Sequence, residues 1–253
     1  MTRFSANLGF LFNDLPLPDA IRAAHAAGFD AVECHWPYAF PSDEVKTALE
    51  ETGLVMLGLN TIRGAPGENG LAALPGREQE ARQAIDQAIA YARAIETPRI
   101  HVMAGFAKGQ AAHETFVENL RYACTEAAAH AITILIEPLN RYDAPGYFLD
   151  GSDQAKAVIE EVGAPNLRMM FDCYHLQIME GDISRRLENM LPLIGHIQIA
   201  SVPDRAEPDG GELCYAHVLK VLAALGYEEP IGAEYKPADP QQLRFDWMAD
   251  LRS

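Results

Sequence analysis

Residues 133–140 read TILIEPLN: a short apolar, β-favouring run that ends in Glu137 and is closed by Pro138. A strand covered on both faces needs this composition, and the acid followed by proline marks its end. The same form recurs in both directions along the chain. Upstream lie Phe4–Leu8, Ala31–His35, Val55–Asn60 and Arg99–Ala104. Downstream lie Arg168–Asp172, His196–Ala200 and Ile231–Tyr235. The spacing predicts a strand at each.

Between these runs sit helical patterns: 18–27, 43–51, 77–95, 113–130, 152–162, 183–190 and 214–225. The third follows Pro75-Gly76 and places Ala81, Ile85, Ala88, Ile89 and Ala92 on one face. Ser152 is expected as an N-cap and Gly226 as a C-terminal stop. Eight strand–helix alternations without a break in composition predict one α/β domain over residues 1–253, a closed (β/α)8 barrel. A doubly wound open sheet is the competing architecture. It usually carries a glycine-rich phosphate loop after its first strand, whereas residues 9–18 read GFLFNDLPLP. Nucleotide binding therefore has no support.

Composition narrows the function. The 253 residues carry 20 Lys+Arg against 36 Asp+Glu, a net charge of −16, which repels nucleic acids and anionic membranes. The N-terminus MTRFSANLGFLFND lacks a signal-peptide pattern, and no apolar run is long enough to span a bilayer. Cys34, Cys124, Cys173 and Cys214 show no C-x-x-C spacing, so disulfides and a thiolate zinc site are not expected and a cytoplasmic setting is. A small-molecule substrate is the expected partner, and a homo-oligomer is compatible with the sequence.

Barrel active sites lie at the C-terminal strand ends. Strand five ends in Glu137, MMFDCYH delivers Asp172 and then His175, HIQIAS carries Gln198, and IGAEYKP carries Glu234 and Lys236. One such acid alone reads as a helix cap or a salt-bridge partner. Three acids converging on one mouth repel one another and lose hydration unless a cation joins them. Glu137, Asp172, Gln198 and Glu234 form an all-oxygen ligand set, which favours Mg2+ or Mn2+ over zinc.

At these residues the chain resembles the hydroxypyruvate isomerases, within the xylose-isomerase-like barrel isomerases and epimerases. The matching stretches are AGFDAVE (27–33), GLAALPGRE (70–78), HVMAG (101–105), ILIEPLN (134–140), FDCYH (171–175), HIQIA (196–200), PDRAEPDGGE (203–212) and GAEYKP (232–237). The resemblance implies Glu137 and Glu234 as the proton-transferring pair and the four oxygen residues as metal ligands. Gln198 stands where many relatives carry His. Strand two departs, ending ECHWPYAF where those isomerases more often read EFLFPYDY, and strand five continues as PLNRYDAPGYF. Both segments border the pocket and bear on the substrate.

The resemblance makes His175 a substrate-binding residue, against a plain loop histidine. It gives Arg205 a contact to substrate oxygens, against a surface pair with Glu207 or Asp209. Lys236 shares the face of Glu234, to neutralise it or to touch substrate. His101 and Glu33 read as satisfied interior polar residues. His35, Trp36 and Tyr38 form either a pocket wall or a helix-packing cluster, and the long segment 61–76 is a candidate lid. The implied reaction interconverts hydroxypyruvate and tartronate semialdehyde. The alternatives are a related 2-oxo acid such as a 2-oxo-tetronate, ketose 3-epimerisation, or a non-catalytic sugar-acid binder. A DNA-repair endonuclease on this barrel would need several His ligands and a basic groove, and the sequence has neither.

Overall fold

The computed structural model describes residues 1–240 and 242–252. Eight strands run parallel: β1 (Phe4–Asn7), β2 (Ala31–Glu33), β3 (Leu59–Asn60), β4 (Arg99–His101), β5 (Thr133–Ile136), β6 (Leu167–Asp172), β7 (Ile194–Ile199) and β8 (Ile231–Ala233). Their order is β2-β1-β8-β7-β6-β5-β4-β3. The remaining seam is stitched by Val32, whose N–H donates to Val55 O at 3.0 Å and whose carbonyl accepts from Leu57 at 2.7 Å. The sheet is thus a nearly closed barrel, as the alternation predicts. β3 is shorter than the predicted 55–60 run, and residues 55–58 join this seam through the Val32 bridge and the Cys34 N–H, which donates to Gly58 O at 3.1 Å.

The helices cover the outside: α1 (Leu17–Ala26), α2 (Ser42–Thr52), α3 (Glu78–Ala94), α4 (Gln110–Ala128), α5 (Ser152–Val162), α6 (Cys173–Met179), α7 (Ile183–Met190), α8 (Tyr215–Ala224) and α9 (Trp247–Leu251). All five residues predicted for the buried face of α3 are buried, joined by Ala84. Small residues on that face let α3 lie close to the sheet. Two helices were not predicted. α6 leaves β6 without a break, and α9 buries Trp247 against Phe4, Phe29 and Tyr235 on the outer face of β1 and β8. Ser152 does not cap α5. Gly151 holds the cap position, and the Ser152 N–H and hydroxyl both donate to Glu180. No helix among the described residues is long and apolar enough to cross a membrane.

Strand alternation sends Phe4 and Ala6 outward and Ser5 and Asn7 into the barrel. There the Glu33 carboxylate accepts from Ser5 Oγ, Asn7 Nδ2, His196 Nε2 and Gln198 Nε2, at 2.6–3.1 Å. Gly232 makes room for it, since a Cβ at that position would stand 2.7 Å from Glu33 Oε1. Glu33 is therefore the satisfied interior residue expected, and it forms a polar floor beneath the C-terminal mouth.

Candidate active site

The mouth is built from the ends of β5 to β8. Glu137 follows β5 and Glu234 follows β8. Asp172 ends β6 and also caps α6 by accepting the Tyr174 N–H at 2.8 Å. One ligand atom from each of Glu137, Asp172, His175 and Glu234 can be chosen so that all four lie within 4.8 Å of one another, and all four residues are buried. A group of this kind can hold a metal ion. The predicted acids and His175 thus converge.

One guanidinium is set among them. Arg205 Nη2 lies 2.7 Å from Glu234 Oε2 and 3.5 Å from Asp172 Oδ2, while Nη1 lies 3.2 Å from Asp143. Its backbone is left-handed, with φ of 55°, a costly conformation for a non-glycine residue that is held by contacts on both sides. The Arg205 N–H donates to Ser201 O, and its carbonyl accepts from Lys236. Neither Glu207 nor Asp209 pairs with Arg205. Glu207 receives the Ala238 N–H, and Asp209 binds Arg244.

The two glutamates are held very differently. Glu234 Oε1 accepts from Asn7 Nδ2 and lies 2.9 Å from His35 Nε2. Burial alone would raise its pKa, but Arg205 and then His35 reverse the effect and bring it down to about 2. Glu137 has no hydrogen bond to Oε1, and its nearest ring nitrogen, His101 Nδ1, is 3.5 Å from Oε2. Burial, then the charges of Glu234 and Asp172, push its carboxyl well above the usual range. Burial likewise raises Asp172 to about 7, against the pull of Arg205. Three carboxylates and one fixed cation leave a deficit of positive charge.

A divalent cation fits that deficit. Gln198 adjoins Asp172 in the β6–β7 ladder, and its amide is oriented by the bond from Nε2 to Glu33. Its Oε1 is left buried without a partner among the described residues, as is Glu137 Oε1. Such orphaned acceptors are costly in a folded interior unless a cation or water meets them. His175 offers less as a ligand. Its Nδ1 accepts the Asn140 N–H at 3.0 Å and faces the Asn140 amide nitrogen at 2.8 Å. Asn140 Oδ1 accepts from Tyr142 and Asp143, which fixes that amide. The neutral ring therefore carries its proton on Nε2, which points toward Asp172 and Glu137. Burial, then Arg205, hold the imidazole well below its ordinary pKa, so it stays neutral.

Above these groups opens a cavity of about 390 Å3. Its walls include Phe10, His35, Trp36, Arg63, His101 and Lys236. The aromatic cluster divides. His35 and Trp36 face the cavity, while Tyr38 packs edge-on against Tyr91 of α3. Lys236 is exposed and lies over the Phe10 ring at 5.7 Å, forming no ion pair with Glu234. His101 is not satisfied as expected. Neither ring nitrogen has a hydrogen-bond partner among the described residues, and burial drops its pKa to about 3. Segment 61–76 is tied to residues 101–104 through Thr61, Ala72 and Ala73, and its tip at 64–67 is exposed. Sequence reasoning did not identify Asn7, Asn140 and Arg63, or His35 as a partner of Glu234. Asn7 and His35 act on Glu234, and Asn140 on His175, across long sequence separations.

Residues 21–251 match the family described as the xylose isomerase-like TIM barrel. The chain is 46% identical to 2-oxo-tetronate isomerase of Cupriavidus necator, covering 98% of each chain. It is 39% identical to hydroxypyruvate isomerase of Escherichia coli over 100% of both. A crystal structure titled AP endonuclease, family 2, from Brucella melitensis superposes with a TM-score of 0.94 at 42% identity, covering 99% of each chain.

Proposed function

This chain belongs to the xylose isomerase-like TIM barrel family, and from that premise we propose that it is an isomerase interconverting hydroxypyruvate and tartronate semialdehyde. The observation that carries the reading is the convergence of buried Glu137, Asp172 and Glu234 around a single guanidinium. Endonuclease chemistry is disfavoured by the net charge of −16 and by a cluster with one histidine.

Glu137, Asp172, Gln198 and Glu234 are the residues that would hold a divalent cation, and oxygen donors favour Mg2+ or Mn2+. The cation supplies positive charge for the developing enediolate. The remaining chemistry belongs to the chain. A C3–H bond of hydroxypyruvate breaks to a glutamate carboxylate, and its electron pair becomes the C2=C3 bond of the enediolate. A glutamic acid then returns a proton to C2 as the C3 aldehyde forms, and the hydroxyl proton passes between the two oxygens. Glu137, with its raised pKa and free Oε1, is the stronger base. Glu234, gripped by Arg205, His35 and Asn7, is the more rigid partner. His175 Nε2–H donates to substrate oxygen, and Arg205 Nε, buried without a partner, does the same. Lys236 contacts substrate from the rim. The four cysteines are all free, which accords with a cytoplasmic setting.

A second reading, isomerisation of a 2-oxo-tetronate by the same residues, is favoured by the 46% identical relative. A panel of hydroxypyruvate, a 2-oxo-tetronate and neutral ketoses, with chelated and Mg2+- or Mn2+-loaded protein, tests both. Cation-dependent turnover of one of the oxo acids is expected. Turnover of ketoses alone would replace this reading by epimerisation, and no turnover by a binder.

A further inference from the structure

In a protein of net charge −16 this cavity has to attract an anionic substrate, and Arg205 is poorly placed to do so. Its two terminal nitrogens are taken by Asp143, Asp172 and Glu234. Arg63 stands otherwise. It lines the same cavity, and among the described residues it has no carboxylate partner. Its guanidinium lies over the Trp36 ring at 4.5 Å, and Nε and Nη2 both donate to Oδ1 of buried Asn69 at 3.2 Å. Trp36 is itself pinned, with Nε1 donating to Thr61 O at 3.0 Å. The two acids that line the adjoining pocket with Arg63 are engaged elsewhere, Asp143 with Arg205 and Glu68 with Arg77.

We propose that Arg63, held by Trp36 and Asn69, is the specificity-determining residue that docks the carboxylate of the substrate. A guanidinium already clamped on one edge and one face loses little freedom on binding, and its remaining edge presents N–H donors to a planar carboxylate. This deepens the isomerase reading and rests on it for the identity of the substrate. It does not rest on it for the class of ligand, which is a short hydroxy- or oxo-carboxylate.

The test uses Arg63→Met in the metal-loaded, full-length protein. For hydroxypyruvate, KM should rise about 10–100-fold, the worth of hydrogen bonds to a charged group, with kcat little changed. Dihydroxyacetone, the neutral counterpart, should be unaffected. Binding is measured separately by NMR titration with glycerate and with glycerol, neither of which can isomerise. Glycerate should bind the wild type more tightly than glycerol, and Arg63→Met should remove the difference. If glycerate binding drops while no substrate is turned over by either protein, the anion site stands and the isomerase reading fails. Unchanged KM and unchanged glycerate affinity would overturn the proposal. Equal losses for charged and neutral ligands would also overturn it, by making Arg63 structural.

Discussion

Nε2 of His35 lies 2.9 Å from Oε1 of Glu234, and the ring fits only because residue 9 is glycine. A Cβ there would stand 2.1 Å from His35 Nδ1. The Gly9 N–H also donates to Asn7 Oδ1, which turns the Asn7 amide so that Nδ2 reaches both Glu33 and Glu234. One small residue thus sets two partners of the Glu234 carboxylate.

Gly9→Ala should displace His35 and with it Glu234. A misplacement of about 1 Å at a reacting group can cost up to about 100-fold in rate, so kcat should fall toward that value. The backbone at residue 9 is not left-handed, so the loss of stability should be that of displacing the packed His35 ring, about 1–3 kcal/mol. Wild-type kcat in Gly9→Ala would show that the His35 contact does not position Glu234.

Arg205→Met should destabilise the metal-free protein by about 3–5 kcal/mol, the cost of stranding buried charges. Urea denaturation checks this. The contacts to Asp172 and Glu234 do not depend on substrate charge, so turnover should fall equally for acidic and neutral substrates. Unchanged stability would mean that the three acids do not depend on this guanidinium.

The pH dependence of stability has a defined sign. Asp172 titrates near 7 when folded, against an ordinary 3.8, and Glu137 is shifted the same way. Between those values the folded state binds more protons than the unfolded, so these groups make stability decline as pH rises through the window. Glu234 acts oppositely, and its contribution is lost only as pH falls toward about 2. The Tm of chelated protein should therefore drop from about pH 5 to about pH 8. Added Mn2+ should raise it more at the upper end, where no protons need be displaced. A larger Mn2+ effect at the acidic end would contradict the assignment of these carboxyls as ligands.

Much of this was legible in the sequence because the barrel's signals are local. Strand runs such as TILIE and the face of α3 repeat at fixed periods, and the acids sit where each run stops. The failures share a physical cause. α6 begins on the residue after β6, so no turn residue separates two apolar elements, and Asp172 serves as cap and site acid at once. A strand-end acid can therefore cap a helix and still face the candidate site. His35 and Glu234 are 199 residues apart, and only the closed barrel brings them together. Arg205 was visible as a cation but its partners were not, because Asp143 comes from the loop after β5, Asp172 from the end of β6 and Glu234 from just past β8.

In the proposed reaction two glutamates move a proton on neighbouring carbons of one substrate. Deuterium incorporation into hydroxypyruvate, followed by NMR in D2O with Mn2+-free Mg2+-loaded enzyme, tests it most directly. Wild-type enzyme should wash deuterium into C3, and Glu137→Gln and Glu234→Gln should each slow isomerisation by about 10²–10⁴-fold, the usual worth of a general base. If one carboxylate shuttles the proton alone, its replacement should abolish exchange while the other variant still exchanges slowly. Wild-type-like exchange and isomerisation in both variants would refute the assignment of proton transfer to these two glutamates.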